Sequence, residues 1–199
     1  MELLEEVYLL FKSFEESKEP TNILNNELKS ELFPHQVDGL NWLIWLYKNN
    51  LNGILGDERG LGKRTQSLSF LSYLVECNDI KGPFLILSPL SCIRKWEREI
   101  EHFLPNFKVE TFVGSIHERK EKIERINEYR SRFKDNSNKY SLPFNIMLTS
   151  YEFVIKANSV FQQFQWKYVI IDEAQRFTNV ESKLYKVFYF LIYTLYYSK

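Results

Sequence analysis

A short apolar segment, Gly53-Ile54-Leu55-Gly56, runs through Asp57-Glu58-Arg59 into the turn Gly60-Leu61-Gly62-Lys63, and a helical pattern follows directly. Far downstream a second apolar run, Tyr168-Val169-Ile170-Ile171, ends on two adjacent acids, Asp172 and Glu173. These two places restrict the fold more than anything else in the chain. Glycines let a strand-to-helix turn curl tightly, and the helix N-terminus then offers backbone N–H groups and a lysine to an anion. Acids at the carboxyl end of a parallel strand stand where open α/β folds bind ligands. Together they are the two halves of a nucleoside-triphosphate site with Mg2+. Each half also has an ordinary reading, as a glycine-rich turn and as a pair of acids answering a helix dipole.

The strict phosphate-loop pattern G-x-x-x-x-G-K-[ST] is broken twice. Asp57 stands at its first glycine, and Arg64 stands where a Ser or Thr hydroxyl would meet Mg2+. Thr65 carries a hydroxyl, but one step on and about 100° round the helix.

The rest of the sequence keeps the same alternation. Periodicity predicts helices over 36–50, 62–76, 92–103 and 116–133 and a short one from Tyr151. Strands are predicted over 53–56, 84–88, 109–113, 145–148 and 168–171. That order gives an α/β fold of three layers, a mostly parallel sheet covered by helices on both faces. Leu3, Leu4, Val7, Phe11 and Phe14 share one helical face, so residues 1–31 read as an amphipathic helix and linker. A single lobe over 32–184 follows, then an aromatic tail over 185–199. The polar stretch 132–143 reads as a surface loop.

Composition removes several classes of function. The 26 basic residues are balanced by 26 acidic ones, so nucleic-acid contact has to come from local patches. Cys77 and Cys92 are too few for a disulfide framework, and His35, His102 and His117 lack metal-ligand spacing. The N-terminus is acidic where a signal peptide is basic. The apolar stretch 187–197 falls short of the ~20 residues that span a bilayer, so no membrane is expected.

Three further groups carry possible chemistry. Gln36, after Phe33-Pro34-His35, either caps the helix it begins or pairs its amide with an adenine edge. Ser88 and Pro89, and likewise Thr149, Ser150 and Tyr151, each follow a strand and open a helix. They either cap those helices or meet nucleic-acid phosphates. The alternating Glu, Lys and Arg of 116–134 read as a solvated helix face.

Several long blocks now match one family. LFPHQVDGLNWLIWLYKNNLNGILGDE, GPFLILSPLSCIRKWEREIEHFLP, IMLTSYEFVIK and SVFQQFQWKYVIIDEAQRF resemble the first RecA-like lobe of the SNF-type chromatin-remodelling ATPases, in helicase superfamily two. Their wording is most similar to the chromodomain-helicase-DNA-binding-like and imitation-switch groups. The resemblance implies a nuclear protein acting on DNA in nucleosomes. It implies that Gln36 reads adenine, that Asp57, Gly60, Leu61, Gly62, Lys63, Arg64 and Thr65 line the ATP phosphates, and that Asp172 binds Mg2+. Glu173 would orient or deprotonate the attacking water, with Lys63, Asp172 and Glu173 as the catalytic set. Ser88, Pro89, Thr149, Ser150 and Tyr151 would lie along DNA.

The departures are equally specific. Arg59 replaces the family's Met, Arg64 its Thr, Gln175 the His of its DEAH box, and Thr178 a later basic residue. The second lobe with its arginine fingers is absent from these residues, and the expectation is a truncated gene product. Two readings result. The chain is an ATP-binding lobe with little activity alone, or a non-catalytic module that contacts nucleic acid or protein.

Overall fold

The computed structural model describes residues 12–14, 32–133, 142–177 and 185–186. The chain divides into two compact units, Met1–Asp79 with Glu99–Pro105 and Ile80–Arg98 with Asn106–Lys199. Most of the aromatic tail, of residues 1–31 and of the 132–143 loop lies outside the described residues.

Two packed helices make the first unit. Helix α1 (Pro34–Lys48) starts on a proline, which lacks the N–H that a first turn leaves unpaired. Helix α2 (Lys63–Asn78) starts after Gly62, whose φ of 78° is left-handed. Leu40, Ile44 and Leu46 of α1 and Leu68, Leu71 and Leu74 of α2 are buried between them. Tyr47 meets Phe70 edge-on at 5.9 Å. The seam is closest at Gly39, where an added Cβ would stand 1.7 Å from Gln66 Oε1. Of the N-terminal helix only Lys12–Phe14 is described. Its Phe14 lies edge-on to Trp42 at 5.1 Å and to Trp45 at 5.9 Å, as an amphipathic face requires.

The predicted strand over 53–56 is absent; those residues run as irregular backbone. Gly53 and Gly56 give a strand nothing to pack, and Ile54 between them is 82% exposed.

A parallel sheet makes the second unit. Its strands are β1 (Phe84–Leu87), β2 (Val109–Phe112), β3 (Ile146–Thr149) and β4 (Tyr168–Ile171). They lie in the order β2-β3-β1-β4. Phe84 pairs with Ile146 on one side and Tyr168 on the other. The crossovers are α3 (Ile93–Phe103), α4 (Ile116–Arg132), and the short pair α5 (Tyr151–Lys156) and α6 (Asn158–Phe161). The first half of α3 belongs to this unit and its end to the other. β1 and β3 are fully buried, which explains their unbroken apolar sequence. β4 reads identically but is only half-buried, because it is an edge among the described strands. Helix α4 opens with a reciprocal cap: Ser115 N–H donates to Glu118 Oε2, and Glu118 N–H to Ser115 Oγ.

On one face of this sheet Phe112, Met147, Val154, Phe161, Phe164 and Trp166 form a buried cluster. Phe161 is fully buried, with its ring at 86° to Phe112 and 5.3 Å away. Phe161→Ala should therefore cost about 3–5 kcal/mol of stability. Urea unfolding followed by circular dichroism measures it, and a loss below about 1 kcal/mol would mean that this cluster does not hold the sheet.

Candidate functional site

In the first unit the glycine-lysine turn is tied to itself. Lys63 Nζ donates to the backbone oxygens of Asp57 at 2.6 Å and Glu58 at 2.8 Å. Gln66, fully buried one turn into α2, donates through Nε2 to Asp57 Oδ2 at 2.8 Å. The Leu61 carbonyl oxygen gathers the rest. Gln36 Nε2 lies 3.2 Å from it, His35 Nε2 3.1 Å and Gln66 Nε2 3.4 Å. Gly60 (φ 93°) and Gly62 allow this curl. A Cβ on Gly62 would also come within 2.2 Å of Gln36 Nε2. The glycine is thus required by backbone shape and by the close passage of Gln36.

Gln36 has both ends of its amide engaged. Its Oε1 accepts from Phe33 N–H at 3.1 Å, capping α1, while its Nε2 holds Leu61. Of the two roles open to it from sequence, the structure displays capping. Adenine recognition would require it to leave these partners.

Arg64, in the first turn of α2, reaches Glu99, and Nη1 lies 2.9 Å from Oε1. Both side chains are largely covered, at 28% and 30% exposed. Thr65 Oγ1 is on the Gln36 side of the turn, 3.7 Å from where a Gly62 Cβ would stand.

In the second unit the acid pair sits at the carboxyl edge of the sheet. Asp172 N–H donates to Leu87 O at 2.8 Å, continuing the β1–β4 ladder past its last residue. Asp172 Oδ2 then accepts from Ser88 Oγ at 3.0 Å and from the indole Nε1 of Trp96 at 2.9 Å. Trp96 is 1% exposed. Glu173 has φ 58°, left-handed and costly for a residue with a Cβ. It accepts a hydrogen bond from Gln175 Nε2, the residue standing in the box's usual His position. Tyr151 is buried nearby, and burial first, then the Asp172 carboxylate, pushes its hydroxyl well above the ordinary tyrosine value. Arg176 lies over the Tyr151 ring.

The residues read as a nucleic-acid track share this edge but are turned inward. Ser88, Thr149 and Ser150 are fully buried, and Tyr151 and Pro89 are buried with them. The Ser88 hydroxyl donates to Asp172, that of Thr149 to Phe112 O at 2.7 Å, and that of Ser150 to Glu152 at 2.6 Å. The Ser150 bond holds Glu152 below the usual glutamate range. As drawn, these hydroxyls face protein partners, which departs from a track of hydroxyls open to phosphates.

The donors present are a poor match for Mg2+. The hydroxyl that a phosphate loop gives to the metal is replaced by a guanidinium paired with Glu99. The expected carboxylate, Asp172, is oriented by two hydrogen bonds on one oxygen, so the misfit lies at Arg64 rather than at the acid. Among the described residues no group of three or more His, Cys, Asp and Glu is arranged to hold a metal ion, and no helix is long and apolar enough to cross a membrane.

Residues 35–193 match the SNF2-related domain family. The chain belongs to this family. Its relatives include the chromatin-remodelling ATPase INO80 of Neurospora crassa, 41% identical over 168 residues, covering 84% of this chain and 8% of that protein. The INO80 of Debaryomyces hansenii is 42% identical over 159 residues, covering 80% of this chain and 11% of that protein. Human INO80 is 39% identical over 173 residues, covering 87% and 10%. Among solved structures, the SWI2/SNF2 ATPase core of Sulfolobus solfataricus in complex with dsDNA superposes with a TM-score of 0.63 at 27% identity. It covers 81% of this chain and 30% of that one. The chain thus spans about a tenth of the length of these curated relatives. The family and the RecA-like fold agree with the sequence. The subgroup does not, since these relatives are INO80 ATPases rather than chromodomain-helicase or imitation-switch proteins.

The sequence pattern singles out none of Trp96, Glu99 and Gln66. Trp96 to Asp172 spans 76 residues and Arg64 to Glu99 spans 35. No local pattern signals such pairs. Gln66 had a weak signal, as a buried amide one turn inside an otherwise apolar helix face.

Two substitutions probe this geometry. Gly62→Ala puts a Cβ in a left-handed position and against Gln36, and should cost at least ~1 kcal/mol in denaturant unfolding; a neutral result would mean the turn relaxes freely. Trp96→Phe removes a donor from Asp172 and should cost roughly 1–3 kcal/mol. Combined with Ser88→Ala in a double-mutant cycle it should be non-additive, and strict additivity would show that the two donors do not share the carboxylate.

Proposed function

We propose that residues 32–184 are the ATP-binding first lobe of an INO80-like chromatin-remodelling ATPase, a nuclear protein whose partner is nucleosomal DNA. The observation that carries this is the span of the family match, 35–193, which takes in both the glycine-lysine turn and the acid pair. The relatives' printed activity and the dsDNA bound to the solved ATPase core support it.

Within that reading Gly60, Gly62 and Lys63 hold the β- and γ-phosphates. The lysine beside the first-turn N–H groups of α2 supports this, although phosphate would have to compete with the two backbone oxygens Lys63 now holds. When bound, the nucleotide supplies the phosphoanhydride that is cleaved. By the resemblance, Asp172, fixed by Ser88 and Trp96, would be the metal-binding acid and Glu173, fixed by Gln175, the acid for the attacking water. By the resemblance Ser88, Pro89, Thr149, Ser150 and Tyr151 support the DNA side, and contact there would require the Ser88, Thr149 and Ser150 hydroxyls to leave their protein partners.

The Arg64–Glu99 pair favours a second reading, a lobe that binds nucleotide or a partner without turnover. By the resemblance, trans arginines belong to a second lobe outside these residues, and such arginines are worth ~10³–10⁵ in rate. That is roughly 4–7 kcal/mol of barrier. Expressed as these 199 residues, the protein should bind ATP yet show no DNA-stimulated phosphate release. A phosphate-release assay with duplex DNA, beside an ATP titration, decides the matter. Robust turnover would remove the non-catalytic reading, and absence of nucleotide binding would remove the lobe assignment.

A further inference from the structure

We infer that this lobe takes its nucleoside polyphosphate without a divalent cation, and that Arg64 sets this property; the inference rests on the nucleotide reading above. A phosphate loop normally contributes one protein ligand to the metal, the hydroxyl following the lysine. Here that position is a guanidinium that cannot lose its charge. It is not a loose surface arginine that could swing clear. Its Nη1 is 2.9 Å from Glu99 Oε1, and both partners are about seven-tenths covered. The pair anchors a positive group in the first turn of α2, where the helix N-terminus already favours an anion.

No nearby hydroxyl takes over. Thr65 Oγ1 is on the Gln36 side of the turn, 3.7 Å from where a Gly62 Cβ would stand, one position past the residue that follows the lysine. Ser67 Oγ donates back to Lys63 O at 2.9 Å, and Ser69 Oγ to Thr65 O at 2.8 Å. The first turn of α2 therefore carries Lys63 and, at the position of the metal's hydroxyl ligand, Arg64 held by Glu99. A dication placed there would meet like charge. A free polyphosphate carries more negative charge than its magnesium complex, so it is the species this turn complements.

The test is a titration of a fluorescent ATP analogue into the full 199-residue chain, once in excess EDTA and once in Mg2+. The wild type should bind with affinities within about twofold of each other in the two buffers. Arg64→Thr restores the hydroxyl and should bind at least ~tenfold more tightly with Mg2+, since even residues behind metal ligands are worth that much in metal affinity. Glu99→Gln keeps the guanidinium and, in its amide oxygen, an acceptor for it, and should remain indifferent to Mg2+. Lys63→Ala should lose binding in both buffers.

Wild-type binding that tightens ~tenfold with Mg2+ overturns this inference and leaves the nucleotide reading intact. An Mg2+ effect appearing in Glu99→Gln, or none in folded Arg64→Thr, overturns the role given to Arg64. No binding by the wild type in either buffer, or undiminished binding by Lys63→Ala, overturns the nucleotide reading and this inference together.

Discussion

The second unit is organised around one strand. β1 is hydrogen-bonded along both edges, to β3 on one side and β4 on the other, in register at every residue from Phe84 to Leu87. Because all three strands run parallel, their last residues reach the same edge together. Ser88, Thr149 and Asp172 are neighbours for that reason alone. The Asp172 N–H on Leu87 O and the Ser88 hydroxyl on the Asp172 carboxylate extend the ladder into side chains. A shift of β1 by one residue would reverse its faces and dismantle the acid's supports at once.

In the first unit the turn before α2 reaches comparable order without regular structure. The turn before α2 has no strand behind it, yet its oxygens are bound by Lys63, Gln36, His35 and Gln66. A backbone stretch that bends back on itself exposes carbonyls, and each one buried without a donor is costly. Here long side chains from two helices supply the donors. Glycine at 39 and 62 makes room for two of them.

Much of this was readable in advance, and the failures have physical causes. The strand over 168–171 was placed to the residue, because an apolar run ended by two acids admits few alternatives. The strand over 53–56 looked similar but had glycine at both ends, so it had no face to bury. Ser88, Thr149 and Ser150 looked like open caps. In the fold, the ends of a covered parallel sheet are themselves covered, and the hydroxyls turn to neighbours. Gln36 was legible as a choice between two partners, and packing made the choice. Arg64 was visible as a departure, but its answer in Glu99 was not. A single sequence carries no signal that joins positions so far apart.

Lys63 gives the loop a property of a different kind. Two of the three N–H donors of its ammonium are already engaged by the oxygens of Asp57 and Glu58. An anion arriving at Lys63 would meet a partly occupied host, so its capture would be in part an exchange of one set of oxygens for another. The heat released is then a difference between two similar sums, while the freed carbonyls must find water or turn away. Affinity at such a loop is governed less by the strength of the lysine than by how cheaply residues 57 and 58 give it up.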